Sequence, residues 1–287
     1  MRSENDMLHL IVTVAQRDER IRAVIMNGSR VNSAVRKDPF QDYDIIYIVK
    51  DLDLFIQDHS WVDVFGERMI MQLPDDTGAL TYDRFAYLMQ FTDGNRIDLT
   101  LLSVTKREVI YTDSLSVVLL DKDTQLSPLL PPSNKSYWVQ PPTETHFREC
   151  CNEFWWCMPY VAKGLWRNEI TYAKNILEHP LRNMLHLMLD WYVGIDTNFQ
   201  VSTGKSGKHL QQYLAPDTWE QVLKTYSDAS VDRTWQAVFT MCDLFSSLAR
   251  KVGEHFSFLY NEEEEKNVLA HLRYVSNLSS HAKELYP

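Results

Sequence analysis

A short apolar run, Ile21-Arg22-Ala23-Val24-Ile25-Met26, leads directly into Asn27-Gly28-Ser29-Arg30. A second run, 41–49, opens with two aspartates at Asp42-Tyr43-Asp44 and is otherwise β-branched and aromatic. The composition of both runs predicts strands. Side chains alternate faces along a strand, so Asp42 and Asp44 point the same way. Two carboxylates at the head of an apolar strand are costly unless something neutralises them. A hard divalent cation such as Mg2+ does so, because it takes carboxylate oxygens together with substrate phosphates. Gly28 permits a tight turn and close backbone approach by a ligand. Ser29 and the amides around it can hold phosphate oxygens, as a nest of N–H groups does. Arg30 can pair with phosphate or orient the loop.

Around this pair the first half reads as strand-rich. Met7, Leu8, Ile11 and Ala15 predict a helix over 5–19. A helix is expected over 51–61 and a strand over 64–73. Residues 84–92 and 95–103 predict a hairpin turning at Asp93-Gly94-Asn95. On its returning strand Arg96, Asp98 and Thr100 share one face, and Ile97, Leu99 and Leu101 share the other, expected to be core. If that strand lies beside Asp42-Asp44, Asp98 becomes a third carboxylate. It would hold metal and orient, or accept the proton of, an attacking hydroxyl.

Prolines at Pro128, Pro131 and Pro132 break regular structure and predict a domain boundary near 133, giving domains 1–133 and 134–287. A long helix is expected from about 143 to 168, with Thr143 placed to cap it and Pro159 placed to kink it. Phe154, Met158, Val161, Ala162 and Leu165 form its core face. Glu149, Glu153, Trp156, Tyr160, Lys163 and Arg167 form a mixed opposite stripe suited to a cleft wall. Glu153 is the candidate for recognising a cationic acceptor or taking its proton, and Lys163 for neutralising a triphosphate. One of Trp155, Trp156 and Trp166 can stack on substrate. Further helices are expected at 169–192, 207–214, 217–226 and 231–252. The run Glu262-Glu263-Glu264-Glu265 is expected to begin a solvent-facing helix.

The chain has 287 residues and a formal net charge of -10, which argues against a long nucleic-acid-binding surface. No stretch of about 18 apolar residues predicts a membrane span, and the N-terminus does not read as a signal peptide. A cytoplasmic monomer is expected. Cys150, Cys151, Cys157 and Cys242 have no metal-site spacing and are expected to pack as small hydrophobes.

The Gly-Ser turn, the Asp-x-Asp strand and the later strand aspartate resemble the nucleotidyltransferase superfamily, which includes DNA polymerase beta. Longer strings are more specific. They are Asp42-Tyr43-Asp44-Ile45, Arg96-Ile97-Asp98-Leu99-Thr100-Leu101, Leu119-Leu120-Asp121-Lys122-Asp123 and Cys151-Asn152-Glu153-Phe154-Trp155, with Val161-Ala162-Lys163-Gly164-Leu165-Trp166-Arg167-Asn168-Glu169 and Gly204-Lys205. These resemble the aminoglycoside 6-adenylyltransferases that inactivate streptomycin, over nearly the whole chain. The resemblance implies an α+β protein: an N-terminal polymerase-beta-like mixed sheet with helices, then a C-terminal helical bundle, with the active site between them. It implies transfer of AMP from ATP to a hydroxyl of streptomycin with loss of pyrophosphate. In that mapping Asp42 and Asp44 bind Mg2+, Asp98 is the third carboxylate, and Gly28, Ser29 and Arg30 lie in the triphosphate loop. Lys205 joins Lys163 as a phosphate contact. Two alternatives stay open: a nucleotidyltransferase for another small acceptor, and a catalytically silent nucleotide-binding sensor.

Overall fold

Helix α1 (Glu4–Arg17) begins where Ser3 and Asp6 cap each other reciprocally, and buries Met7, Ile11 and Ala15. In the computed structural model, which describes residues 1–76 and 83–286, this helix packs on a six-stranded sheet. The strands are β1 (Ile21–Asn27), β2 (Tyr43–Val49), β3 (Arg68–Gln72), β4 (Arg84–Phe91), β5 (Arg96–Ser103) and β6 (Ser116–Asp121). Their order is β3-β4-β5-β2-β1-β6. Among the described residues only the β2–β5 pair is parallel, so the sheet is mixed. Its register sets Asp44 opposite Asp98.

Burial follows the period-two alternation. Tyr43, Ile45, Tyr47 and Val49 of β2 and Ile97, Leu99 and Leu101 of β5 share one core with α1. The Tyr47 hydroxyl donates to the Ile11 carbonyl at 2.6 Å, satisfying a buried polar group. A smaller cluster, including Ala23, Ile25, Ile48 and Leu102, forms on the other face.

Two expectations are corrected here. The helix expected over 51–61 is only a single turn, α2 (Asp53–Ile56), followed by a 3-10 stretch, His59–Phe65. The side chain of Asp58 accepts from Ser60 N and restarts the chain, as a local cap competing with a continuous helix does. That 3-10 stretch also takes residues 64 and 65 from the expected strand, so β3 starts at Arg68.

The chain divides into two compact units, Met1–Ser136 and the rest from Tyr137 onward. The second is helical. Helix α3 (Glu144–Trp166) is capped by Thr143, whose side chain accepts from His146 N at 3.2 Å, and it runs through Pro159. Helix α4 (Ile170–Ile176) continues through a π turn, Leu177–Leu181, into α5 (Arg182–Asp196). Helices α6 (Pro216–Lys224), α7 (Val231–Phe256) and α8 (Glu262–Ser276) follow. The helix expected over 207–214 is instead a pair of 3-10 turns, 205–207 and 210–212, the first of which ends at Gly207 with φ +72°.

The predicted apolar face of α3 is buried throughout, and Phe154 stacks on Phe245 at 3.7 Å between ring centroids. All four cysteines are free and buried within this unit, and burial raises each thiol's pKa, so they are inert packing groups. The acidic run opens α8, where Glu265 is pulled inward to meet Arg250 Nη2 at 2.5 Å. Among the described residues no helix is long and apolar enough to cross a membrane.

Candidate active site

Strands β2 and β5 carry Asp44 and Asp98 as direct parallel neighbours, and Asp42 lies one residue ahead of β2. The structure therefore brings the three sequence-predicted carboxylates together. Asp44 is the most deeply placed. Burial first, then the negative charges of Asp98 and Asp42, push its carboxyl pKa up to about 6 from the usual 3.8. Asp98 and Asp42 share an internal counter-charge. Arg96 donates to both oxygens of Asp98 at 2.8 Å, and its Nε lies 3.6 Å from Asp42 Oδ2. This fork geometry suits a guanidinium and a carboxylate.

The loop after β1 is shaped around Asp44. Gly28 has φ +79°, and a Cβ built on it would lie 2.0 Å from Asp44 Oδ2. Any larger residue would displace the carboxylate. Arg30 stabilises the loop itself: Nε donates to the Asp42 carbonyl at 2.9 Å and Nη2 to the Gln41 carbonyl at 2.7 Å. Its guanidinium also lies over the Tyr43 ring, 3.6 Å from the centroid. The loop-orienting reading of Arg30 is thus the one seen in these contacts. Gln41 Nε2 donates to the Ser29 carbonyl at 3.2 Å, tying the loop to the start of β2.

In donor type, the cluster fits a hard divalent cation. All three groups offer carboxylate oxygens, and a cation would offset the burial and relieve the repulsion that together raise the Asp44 pKa. It is not a closed cage: among the described residues, no three His, Cys, Asp or Glu side chains form a ready metal site. Arg96 bridging Asp98 and Asp42 supplies part of the positive charge.

Two groups at this end of the sheet were not singled out from sequence. Asp113 accepts from Asn27 Nδ2 at 2.9 Å and adds to the negative field that raises Asp44. It precedes β6, whose pairing with β1 the sequence did not reveal. Arg96 was read only as sharing a face with Asp98, and nothing in its spacing indicated that it would bridge two aspartates.

The remaining predicted residues lie in the helical unit. Glu153 is exposed on α3 and accepts from the Cys157 thiol at 3.3 Å. Lys163 is exposed, with its ammonium 5.1 Å from the Tyr160 ring centroid and 5.8 Å from that of Tyr172. Lys205 is exposed in the turn after Gly204, which takes φ +76°. Of the three tryptophans, Trp155 is core and donates to the Tyr260 hydroxyl at 3.0 Å, Trp166 is half-buried, and Trp156 is 64% exposed.

The family model for streptomycin adenylyltransferase matches residues 1–275. An aminoglycoside 6-adenylyltransferase of Bacillus subtilis (strain 168) is 37% identical over 270 residues, covering 92% of this chain and 95% of the relative. One from Campylobacter jejuni is 38% identical over 269 residues, covering 93% of each. A crystal structure of an aminoglycoside 6-adenyltransferase from Bacillus subtilis shares 33% identity at a TM-score of 0.49, covering 97% of this chain and 100% of that one. The family match, the two relatives from Bacillus subtilis and Campylobacter jejuni, and the aspartate-bearing mixed sheet define a nucleotidyltransferase. The chain belongs to the streptomycin adenylyltransferase family.

Proposed function

We propose that this protein transfers AMP from ATP to the 6-hydroxyl of streptomycin, releasing pyrophosphate and so inactivating the antibiotic. The observation that carries this reading is the register of Asp44 opposite Asp98, with Asp42 beside them and the Gly28 loop fitted against Asp44. The similarity to aminoglycoside 6-adenylyltransferases supplies the acceptor class.

In this reading Asp42, Asp44 and Asp98 hold Mg2+, which when bound screens the triphosphate and stabilises charge developing on its oxygens. Gly28 and Ser29 lie against the triphosphate, and Arg30 keeps that loop in shape. Lys163 and Lys205 contact phosphate oxygens. The acceptor oxygen bonds to the α-phosphorus as the bond from that phosphorus to the bridging oxygen breaks. Pyrophosphate departs with that electron pair. The hydroxyl proton passes to Asp98 or Glu153, whichever lies within hydrogen-bond reach of the acceptor. Residues 1–133 would carry the nucleotide chemistry and 134–287 the acceptor contacts, in a cytoplasmic monomer.

The test is pyrophosphate release from ATP and Mg2+ with streptomycin, with mass analysis of the antibiotic. The expected result is release accompanied by a gain of one AMP. No product at high enzyme concentration would reject streptomycin as the acceptor.

A further inference from the structure

The helical unit contains a pocket of about 570 Å³ between α3, α5 and the segment 139–142. That volume falls in the range of small-molecule sites, about 300–1,000 Å³. Trp191, Leu187 and Met184 are among its apolar lining residues. Three carboxylates reach it: Glu149 and Glu153 from α3, and Asp190 from α5. No lysine or arginine is among the lining residues.

Each carboxylate is placed against ordinary preference. Glu149 and Glu153 stand four apart on one helix face, where like charges repel. Asp190 sits mid-helix, where no N-terminal dipole favours an anion. Burial raises the Asp190 carboxyl pKa, opposed by a hydrogen bond from Thr203, which is itself buried. Trp191 lies beside them, 4% exposed, and an aromatic face also attracts cations. A pocket lined by three carboxylates, one histidine (His146) and an apolar wall, with no lysine or arginine, is complementary to a guest bringing positive charge on a compact hydrocarbon frame.

We propose that this pocket is the subsite for the guanidino-bearing ring of the acceptor, with Asp190 as the main specificity-determining residue and Glu149 as the second. Streptomycin carries two guanidino groups. A planar guanidinium donates two parallel hydrogen bonds to one carboxylate, and two such groups match the carboxylates supplied by two helices. The rest of the ring packs on Trp191 and Leu187. This rests on the reading that streptomycin is the acceptor, and it assigns recognition to residues outside the phosphate chemistry.

The experiment measures streptomycin binding to the whole protein without nucleotide, by calorimetry, alongside steady-state AMP transfer, for wild type, Asp190→Asn and Glu149→Gln. The expected result is a Kd and a KM for streptomycin raised about tenfold or more by Asp190→Asn, with kcat largely kept, and a smaller change in Glu149→Gln. Glu149 is exposed, so its variant reports even if Asp190→Asn folds poorly. AMP transfer by wild type, with the KM for streptomycin unchanged in the folded variants, would overturn the subsite and leave the proposed activity standing. No AMP transfer, but streptomycin binding that both variants weaken, would keep the subsite and reject the activity. Absence of binding by wild type would overturn the subsite.

Discussion

The carboxylates at the ends of β2 and β5 have an arginine among them, whereas those around the helical pocket have neither lysine nor arginine in the lining. In the sheet the negative charge is dense, and one member, Asp44, still has its pKa held near 6. In the helical unit the charges are spread over two helices and face an apolar wall. The difference teaches what each site can exchange. A cluster with its own guanidinium can admit a small, doubly charged cation by releasing part of that internal pairing. A pocket whose three carboxylates share their lining with a histidine but no lysine or arginine leaves its negative field open to a larger organic guest.

The sharpest way to break this contrast is Asp44→Asn. Transfer should fall by roughly a thousandfold or more if Asp44 helps hold the metal that stabilises the reacting phosphate. Stability should move the other way. A carboxyl whose pKa is raised by folding binds more protons folded than unfolded between 3.8 and about 6, so stability drops as pH rises through that window. At pH 7 the wild type carries a penalty on the order of 3 kcal/mol that the amide lacks. Denaturant unfolding at pH 7 without divalent cation should show a stabilised variant, and the gain should vanish near pH 4. A variant destabilised at pH 7 would mean that Asp44 is not held against repulsion.

Next in size is Gly28→Ala. The positive φ and the approach of Asp44 Oδ2 together predict a loss of roughly 2–4 kcal/mol, read from the midpoint of chemical unfolding, and a large loss of transfer. Ordinary stability would show that the loop can yield without losing its shape. Smaller still is Arg96→Gln. The guanidinium is 41% exposed, so its loss should cost only about 1 kcal/mol at neutral pH. Without nucleotide, Mn2+ should bind the variant more tightly than wild type in a paramagnetic resonance titration, because the internal cation no longer competes. Weaker Mn2+ binding would make Arg96 a support for the metal site and remove the contrast between the two regions.

Much of the sheet site was legible because strand alternation is a strict code. Once β2 and β5 were recognised, burial of Ile97, Leu99 and Leu101 and the outward placement of Asp98 followed from period two alone. The neighbouring stretch misled for a local reason: the Asp58 side chain interrupts a helix that propensity over 51–61 would continue. The cap of α3 and its two faces were also legible, since both depend on residues within a few turns. The pocket was not. Asp190 and Glu153 lie on different helices, and Asp190 reads in sequence as one acid near the end of an apolar helical run. The hydrogen bond from Thr203 that helps hold it comes from a non-helical segment no periodicity describes. Asp113 escaped notice likewise, because its link to Asn27 depends on where β6 pairs.

The π turn at Leu177–Leu181 contains Pro180 and lies immediately before the helix that carries Asp190 and Trp191. Each residue of an α-helix rotates the following side chains by about 100°. The π turn, with i→i+5 hydrogen bonds, therefore acts as a place of slack in the count: it takes up one residue more than an α turn while the side chains downstream keep their heading. Point substitutions there alter packing but leave the heading alone. Loss of a single codon at the turn would close it to an ordinary α turn, whereas the same loss inside α5 ahead of Asp190 has no such slack and would swing Asp190 and Trp191 off the pocket together.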